Sequence, residues 1–393
     1  MKRIAVALVA LFAPACVEER PPLEGTQSLR VELVAPANPG APDARLSPAD
    51  RQLTVNVTAL DANGDVDTGY TNTAQVYAQF LGTLTPSLGT PPLATIQLTA
   101  GVAMNQTVTL PPVFGPTTVW IDDGASASPT FATGTSPTLW YPDPHIQDLQ
   151  RPVNEMALNA LSSSPLEDKQ VSVRSSRHGA NGRLVVTSVF AQGYTASDVL
   201  CQAGGAPPCT AEAYDHIMVF SFSAPRDNFG RLVHEGQLIT GFAGGQSEFN
   251  GLTEIGFPQT FADDNAEVNP ARMPEPVVLD PATWFKGLSD PNGMINFERN
   301  EAAPIAVLNG AVCDLDNDYA TYKQWKLDPN GTGGNCAGNR NVINVITAGI
   351  SAIDPPSIVG SKPRRVVGVL RPVNIGSFNV WIIYPRSAAD VQM

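Results

Sequence analysis

The sequence predicts an all-β protein, and three observations carry that expectation. Thirty-five prolines and 33 glycines punctuate the chain, only 16% of its residues are charged, and its apolar runs are rich in Val, Thr, Leu and Ile. These residue types favour strands and turns over helices. Between the turns, apolar and polar residues alternate with a period of two, the spacing at which successive side chains of a strand reach opposite faces.

The chain opens differently. Lys2 and Arg3 give a positive start, and Ile4 to Ala13 form an apolar run of ten residues. A helix that spans a bilayer needs about 20 apolar residues, so this run fits the hydrophobic part of an export signal, with small residues before the cut. Ala13, Pro14 and Ala15 lead directly into Cys16, and the segment resembles a bacterial lipoprotein signal, with Ala13 where that family usually has Leu. The resemblance implies cleavage after residue 15, acylation of Cys16 with palmitate-like chains, and an anchor in the membrane. Several chains matter because one holds only marginally, each buried methylene adding about 0.8 kcal/mol. Val17, rather than Asp, after the cysteine implies the outer membrane, with the periplasmic or surface face left open. The alternative is an ordinary secretory signal cut near Ala15 that leaves a soluble protein.

Length sets the number of domains. A chain of 393 residues accommodates two or three domains of roughly 100–200 residues. Residues 16–27 (CVEERPPLEGTQ) read as a polar, Pro-containing tether. From 28 to 141 the runs SLRVELVA, QLTVNVTA, AQVYAQFL, ATIQLT, QTVTL and TTVWID alternate with period two between Gly, Pro and Asn clusters. Such spacing predicts an antiparallel sandwich. Within it, LDANGDVDTGYTNTAQVYAQF resembles the immunoglobulin-like domains of bacterial surface adhesins, which implies an immunoglobulin-like fold. Asp61, Asn63 and Asp65 have the first spacings of a calcium loop, but no Glu follows at the twelfth position. Asn63-Gly64 reads instead as a tight turn.

Residues 142–169 lose the alternation and read as a linker. Beyond it, NGRLVVTSVF, YDHIMVFSFS and EGQLITGFAGGQSEFNGLTEI over 170–262, and the ending RRVVGVLRPV…FNVWIIYPRSAADV within 263–393, resemble OB-fold-like modules of exported bacterial proteins, some attached to extracellular nucleases. The resemblance implies one or two OB-fold-like barrels: 263–393 is either a second barrel or the completion of the first. The glycines at 236, 241, 244, 245 and 251 sit where the corners and bulges of a small barrel fall.

Without Cys16, four cysteines remain, Cys201, Cys209, Cys313 and Cys336, an even number that suggests two disulfides in an exported chain. Three pairings are possible. Cys201 with Cys209 and Cys313 with Cys336 is favoured because each pair brackets a Gly-rich, loop-like segment. Neither spacing is C-x-x-C, which argues against a metal site.

Catalytic spacing is absent from the sequence: there is no G-x-S-x-G, H-E-x-x-H, phosphate-binding loop or G-x-G-x-x-G. Asp314, Asp316 and Asp318 alternate in CDLDNDY as hard oxygen ligands for calcium would, although Tyr319 stands where a calcium loop needs Gly. A solvated acidic turn beside a disulfide is the preferred reading, and no cofactor other than that calcium is expected. Lys362, Arg364, Arg365 and Arg371, with Trp381 on the next strand, combine basic and aromatic residues as a site for a single-stranded polymer would. The formal charge of −13 argues against a general affinity for nucleic acid, and ordinary surface charge is preferred. The expected function is therefore a non-enzymatic, lipid-anchored envelope or cell-surface protein that binds, adheres or scaffolds, with a protein or glycan ligand. The alternative is an accessory module of a metal-dependent extracellular hydrolase of the nuclease kind, or such a hydrolase itself.

Overall fold

Residues 28–140 form eight strands: β1 (Ser28–Ala35), β2 (Gln52–Leu60), β3 (Thr73–Phe80), β4 (Ala94–Gln97), β5 (Val102–Thr109), β6 (Pro116–Asp122), β7 (Thr133–Thr135) and β8 (Leu139–Trp140). They make two antiparallel sheets, β1-β2-β5 and β4-β3-β6-β7 with β8 also on β6. Alternation explains the pairing: Leu53, Val55, Val57 and Ala59 of β2 are fully buried and join Val76, Val119 and Ile121 of the other sheet in one core. Each buried Leu, Val or Ile side chain contributes about 1.5–3 kcal/mol. Edge strands β1 and β7 approach backbone to backbone, since a Cβ on Gly134 would lie 1.8 Å from the Leu29 carbonyl oxygen. The Asp61 turn forms as the sequence suggests: one Asp61 carboxylate oxygen accepts the N–H groups of Asn63 at 2.8 Å and Asp65 at 3.0 Å, and Gly64 takes φ +83°.

The computed structural model describes residues 24–80, 91–124, 132–152, 164, 166–285, 291–339, 341–375 and 378–393. Cys16 and its signal lie outside the described residues. Where it is described, the segment expected to be a linker is packed. Its helix α1 (Ile146–Gln150) buries Ile146 and Leu149, which with Tyr141 and Leu166 carry the core of the sandwich into the next sheet without a break.

That second sheet contains β9 (Gln170–Val173), β10 (Gly182–Phe190), β11 (Gly193–Gln202), β12 (Ala206–Thr210), β13 (His216–Phe220), β14 (Leu238–Ile239), β15 (Gly241–Phe249) and β16 (Leu252–Phe261). Its order is β14-β10-β11-β13-β16-β15-β9, with β12 on β11. All pairs are antiparallel except β13 with β16. Strands β9 and β10 lie near opposite ends of this order yet are joined by residues 174–181 alone, so the sheet curls back on itself. Its glycines serve that curvature: a Cβ on Gly241 would lie 2.1 Å from the Val173 carbonyl oxygen, and the register shifts beside Gly244.

The third sheet contains β17 (Val277–Val278), β18 (Pro304–Leu308), β19 (Ala311–Val312), β20 (Gln324–Asp328), β21 (Ile343–Ile346), β22 (Arg365–Ile375), β23 (Phe378–Tyr384) and β24 (Val391–Gln392). Its order is β17-β18-β22-β23-β21-β20-β19, with β24 on β22. Only Asn309 and Gly310 separate β18 from β19, so this sheet also closes, around a separate core that includes Trp325, Leu327, Ile383 and Trp381. Helices α2 (Pro281–Trp284) and α3 (Pro291–Arg299) lie against that core through Trp284 and Phe297, while α4 (Asn317–Tyr322) and α5 (Pro355–Ile358) fill its loops. Residues 263–393 therefore make a sheet of their own rather than completing the one before. The two sheets share one connectivity. Counting the six principal strands of each in chain order, the spatial order is second, third, fourth, sixth, fifth, first, with the fourth and sixth parallel.

The disulfides are Cys201–Cys209, which ties β11 to β12, and Cys313–Cys336, which ties the residue after β19 to the loop before β21. Their separations are 8 and 23 residues. Closing the longer loop restricts the unfolded chain more. Replacing Cys313 and Cys336 with serine is expected to cost about 2–3 kcal/mol, and replacing Cys201 and Cys209 somewhat less. Urea denaturation midpoints of the two variants measure that difference.

Candidate functional site

A concave groove of about 500 Å³ lies on the outer face of the second sheet, across β13, β15, β16 and the start of β9. The volume is within the range of small-ligand pockets. Alternation assigns its floor: Gly245, Ser247 and Phe249 of β15 point outward, while Phe242, Gly244 and Gln246 are buried on the other side. Gly245 and Gly256, facing one another in register, leave the floor flat. Three phenylalanines rise around it: Phe222 is 65% exposed, Phe249 62% and Phe257 81%. Phe222 sits 5.3 Å from Phe220 and 5.0 Å from Phe257, centroid to centroid, so those three rings form one patch. Burying such rings is normally favourable, and a contiguous exposed patch marks a surface that meets something.

Local geometry explains how they stay outside. Phe257 and Pro258 together oppose the single residue Gly244, a bulge that ejects Phe257 from the ladder. Phe257 also takes φ +49°, which is strained for a bulky side chain and persists only where the surroundings enforce it. Phe249 closes β15 at a two-residue hairpin, Asn250-Gly251, whose residues both have positive φ (54° and 82°). That is the pattern in which Asn-Gly is favoured. Polar residues lining the groove are Asp168, Gln170, Ser247, Glu254 and Gln246, the last with its side chain buried, and no Lys, Arg or His is among them. Burial raises the Glu254 carboxyl to about 7, against the opposing pull of Arg371. Near neutrality it therefore both donates and accepts.

Behind the groove lies a buried carboxylate cluster. Glu248 of β15, Glu298 of α3 and Glu301 just beyond it meet below the β15–β16 hairpin. Glu301 accepts the Thr253 N–H at 2.8 Å; Glu248 accepts the Thr253 hydroxyl at 2.7 Å and the Ser164 N–H at 3.2 Å. Burial raises Glu248 to about 7. Burial and then the Glu248 charge raise Glu298 to about 8. Burial, then Glu298 and Glu248, push Glu301 far above the usual carboxylate range. The cluster joins the second sheet to the segment that leads into the third.

A second cluster brings His178, Asp198 and Asp215 together with donor atoms within 4.8 Å of one another. The Arg177 guanidinium already grips Asp215 through two bonds of 2.7 and 3.0 Å, and its backbone N–H reaches Asp198 at 2.8 Å. The Ser176 hydroxyl donates to the other Asp198 oxygen. A metal ion would have to displace a fixed cation, so the arrangement is a clamp. His216 is 2% exposed and hydrogen-bonded to Ser197 at 2.7 Å, a Ser–His pair enclosed within the sheet. Burial lowers its pKa to about 4.

The residues singled out from the sequence are placed differently. The Lys326 ammonium donates to both Asp316 and Asp318, at 2.6 Å to the latter, and occupies the position expected for calcium; Asp316 also caps α4. Asp314 hydrogen-bonds through its backbone to Gly334 and is no part of that ion pair. The basic and aromatic set does not assemble either. Arg364 bonds Gln392 at 3.0 Å and Arg365 lies 3.8 Å from Glu275, while Lys362 is exposed beside them. Arg371 is wedged between the rings of Phe190 at 4.1 Å and Tyr384 at 4.8 Å, and its Nε and Nη2 are enclosed. Trp381 is 7% exposed and stacks on Phe297 at 5.3 Å, inside the third sheet's core. The groove phenylalanines went unread, although SFSAP, EFNG and GFPQ each set a Phe beside turn-forming residues, where burial is not expected.

No protein-family model matches the chain, and neither the curated proteins nor the solved structures searched contain a match.

Proposed function

We propose that the chain is an exported, lipid-anchored binding protein of the cell envelope. In this reading an immunoglobulin-like sandwich (28–141) stands between the anchor at Cys16 and two OB-fold-like barrels, and the first barrel offers its aromatic groove to a ligand. Two strand orders support the modules. β1-β2-β5 facing β4-β3-β6-β7 is the A-B-E against C′-C-F-G arrangement of an immunoglobulin-like sandwich. The order of the second and third sheets is that of a five-stranded OB barrel whose first strand is split in two. The observation that carries the binding role is that Phe222, Phe249 and Phe257 are all exposed around one concave, cation-free floor.

Two measurements test this reading. The intact mass of protein from native membranes is expected to show a chain that starts at Cys16, carries acyl groups and contains two disulfides; an unmodified chain that retains residues 1–15 overturns the anchor. The mature protein in detergent is expected to be retained on isolated envelopes. Replacing Phe222 and Phe257 with alanine is expected to weaken that retention about tenfold or more, as loss of an aromatic anchor does. Undiminished retention would place the binding surface elsewhere.

A further inference from the structure

We infer that the ligand of the groove is a neutral glycan, an inference that rests on the groove's being the protein's binding face. Phe222 and Phe257, 5.0 Å apart and tilted by 46°, present broad apolar faces rather than a closed cage. A pyranose ring is apolar on its C–H faces and polar at its rim, so it stacks on such rings while its hydroxyls reach sideways. The rim groups they meet are mainly acceptors: the Asp168 carboxylate, which is exposed, and Glu254, which burial holds near half-protonation, beside the Gln170 amide, whose nitrogen lies over Gly245 and donates. Sugar hydroxyls supply the matching donors. Gly256 leaves the floor open, since a Cβ there would meet only the Gly245 carbonyl oxygen at 3.8 Å, which lets a flat ring lie close to the backbone beside the Gln170 amide.

Charge selects among other occupants. A phosphate-bearing or uronate chain would enter a groove without a cation, facing Asp168 on a protein of formal charge −13, and gain nothing from it. An ammonium ligand needs a dependable counter-ion, and of the two carboxylates on the groove Glu254 is half-protonated near neutrality and Asp168 is solvated. A chain of uncharged sugars meets neither penalty.

The test uses the acylated, full-length mature protein in detergent, titrated by calorimetry with uncharged oligosaccharides (gluco-, manno-, galacto- and N-acetylglucosamine series) and, in parallel, with anionic ones. The expected result is saturable binding of at least one neutral series, weakened tenfold or more by F222A/F257A and severalfold by Q170A, with all variants melting with the parent. Binding confined to anionic sugars overturns the inference, as does the absence of sugar binding where Phe-dependent retention on envelopes persists; in the latter case the groove remains the binding face. Neutral-sugar binding that F222A/F257A leaves intact overturns both readings. A parent that self-associates where F222A/F257A is monomeric makes a second copy the occupant and overturns the glycan.

Discussion

Protein carrying Glu298→Gln and Glu301→Gln is expected to melt about 5–10 °C above the parent at pH 8 and within about a degree of it at pH 4.5. The sign follows from where the protons sit. In the unfolded chain these carboxyls release their protons near 4.5; in the folded chain burial and mutual repulsion hold Glu298 to about 8 and Glu301 higher still. Below the unfolded value both states are protonated and the cluster costs nothing. As pH rises from about 4.5 to 8 the unfolded state sheds protons that the folded state retains, and stability falls throughout that window. A shift of several units corresponds to about 3–5 kcal/mol at pH 8, at about 1.4 kcal/mol per unit. Glutamine keeps the oxygen that accepts from Thr253 and removes the titration. Differential scanning fluorimetry from pH 4.5 to 8 reads the result, and a gap between variant and parent that does not change with pH would refute it.

His216 pulls the other way. Its pKa falls to about 4 in the folded state, so its neutral form stabilises the protein above about 6.5 and that contribution is lost as pH drops towards 4. The two gradients overlap between about 4.5 and 6.5, which places the parent's stability maximum on the acidic side of neutral. In the glutamine variant only the histidine gradient remains of the two, and the maximum is expected to move towards alkaline pH.

What could be read from the sequence, and what could not, follows a physical line. Local regularities carried well. The period-two runs became β1 to β6, the Asn250-Gly251 pair became a hairpin, and the glycines at 241 and 244 mark a close approach and a bulge. The disulfide pairing was also legible, because each pair spans a single loop. Contacts between residues far apart in the chain were not. The Asp316 and Asp318 carboxylates read as a solvated acidic turn, with calcium as the alternative, because nothing nearby in sequence announces that Lys326, a strand later, turns its ammonium onto both. Trp381 and Arg371 read as ordinary surface, with a stacking platform and its cation as the alternative, because strand alternation alone does not say which face is the core. Trp381 points into it, and Arg371 is held against Phe190 of the neighbouring sheet. The groove has the same origin: Phe222, Phe249 and Phe257 come from three segments, and only the β13–β16 parallel pairing and the bulge at Gly244 bring them to one side.

Arg177→Met is expected to cost about 3–5 kcal/mol, because it leaves buried carboxylates without their cation. Asp215 has a fully buried side chain and loses a two-bond grip, Glu212 loses its partner, and Asp198, whose pKa is raised by burial and by the Asp215 charge, is left beside an uncompensated Asp215. Surface ion pairs are worth far less, so the size of the loss separates a clamp from ordinary surface charge. The double variant Arg177→Met with Asp215→Asn removes both charges together and is expected to recover part of the loss, with a coupling energy of about 2 kcal/mol or more in a double-mutant cycle by urea denaturation. Purely additive losses would mean that the guanidinium acts through packing alone. The same substitution tests why this cluster is a clamp and not a metal centre. With the guanidinium gone, His178, Asp198 and Asp215 still present donor atoms within 4.8 Å of one another, so zinc is expected to raise the melting temperature of Arg177→Met and leave the parent unmoved. A parent that responds to zinc as strongly as the variant would mean that Arg177 does not hold the position assigned to it, because one site cannot seat both cations at once.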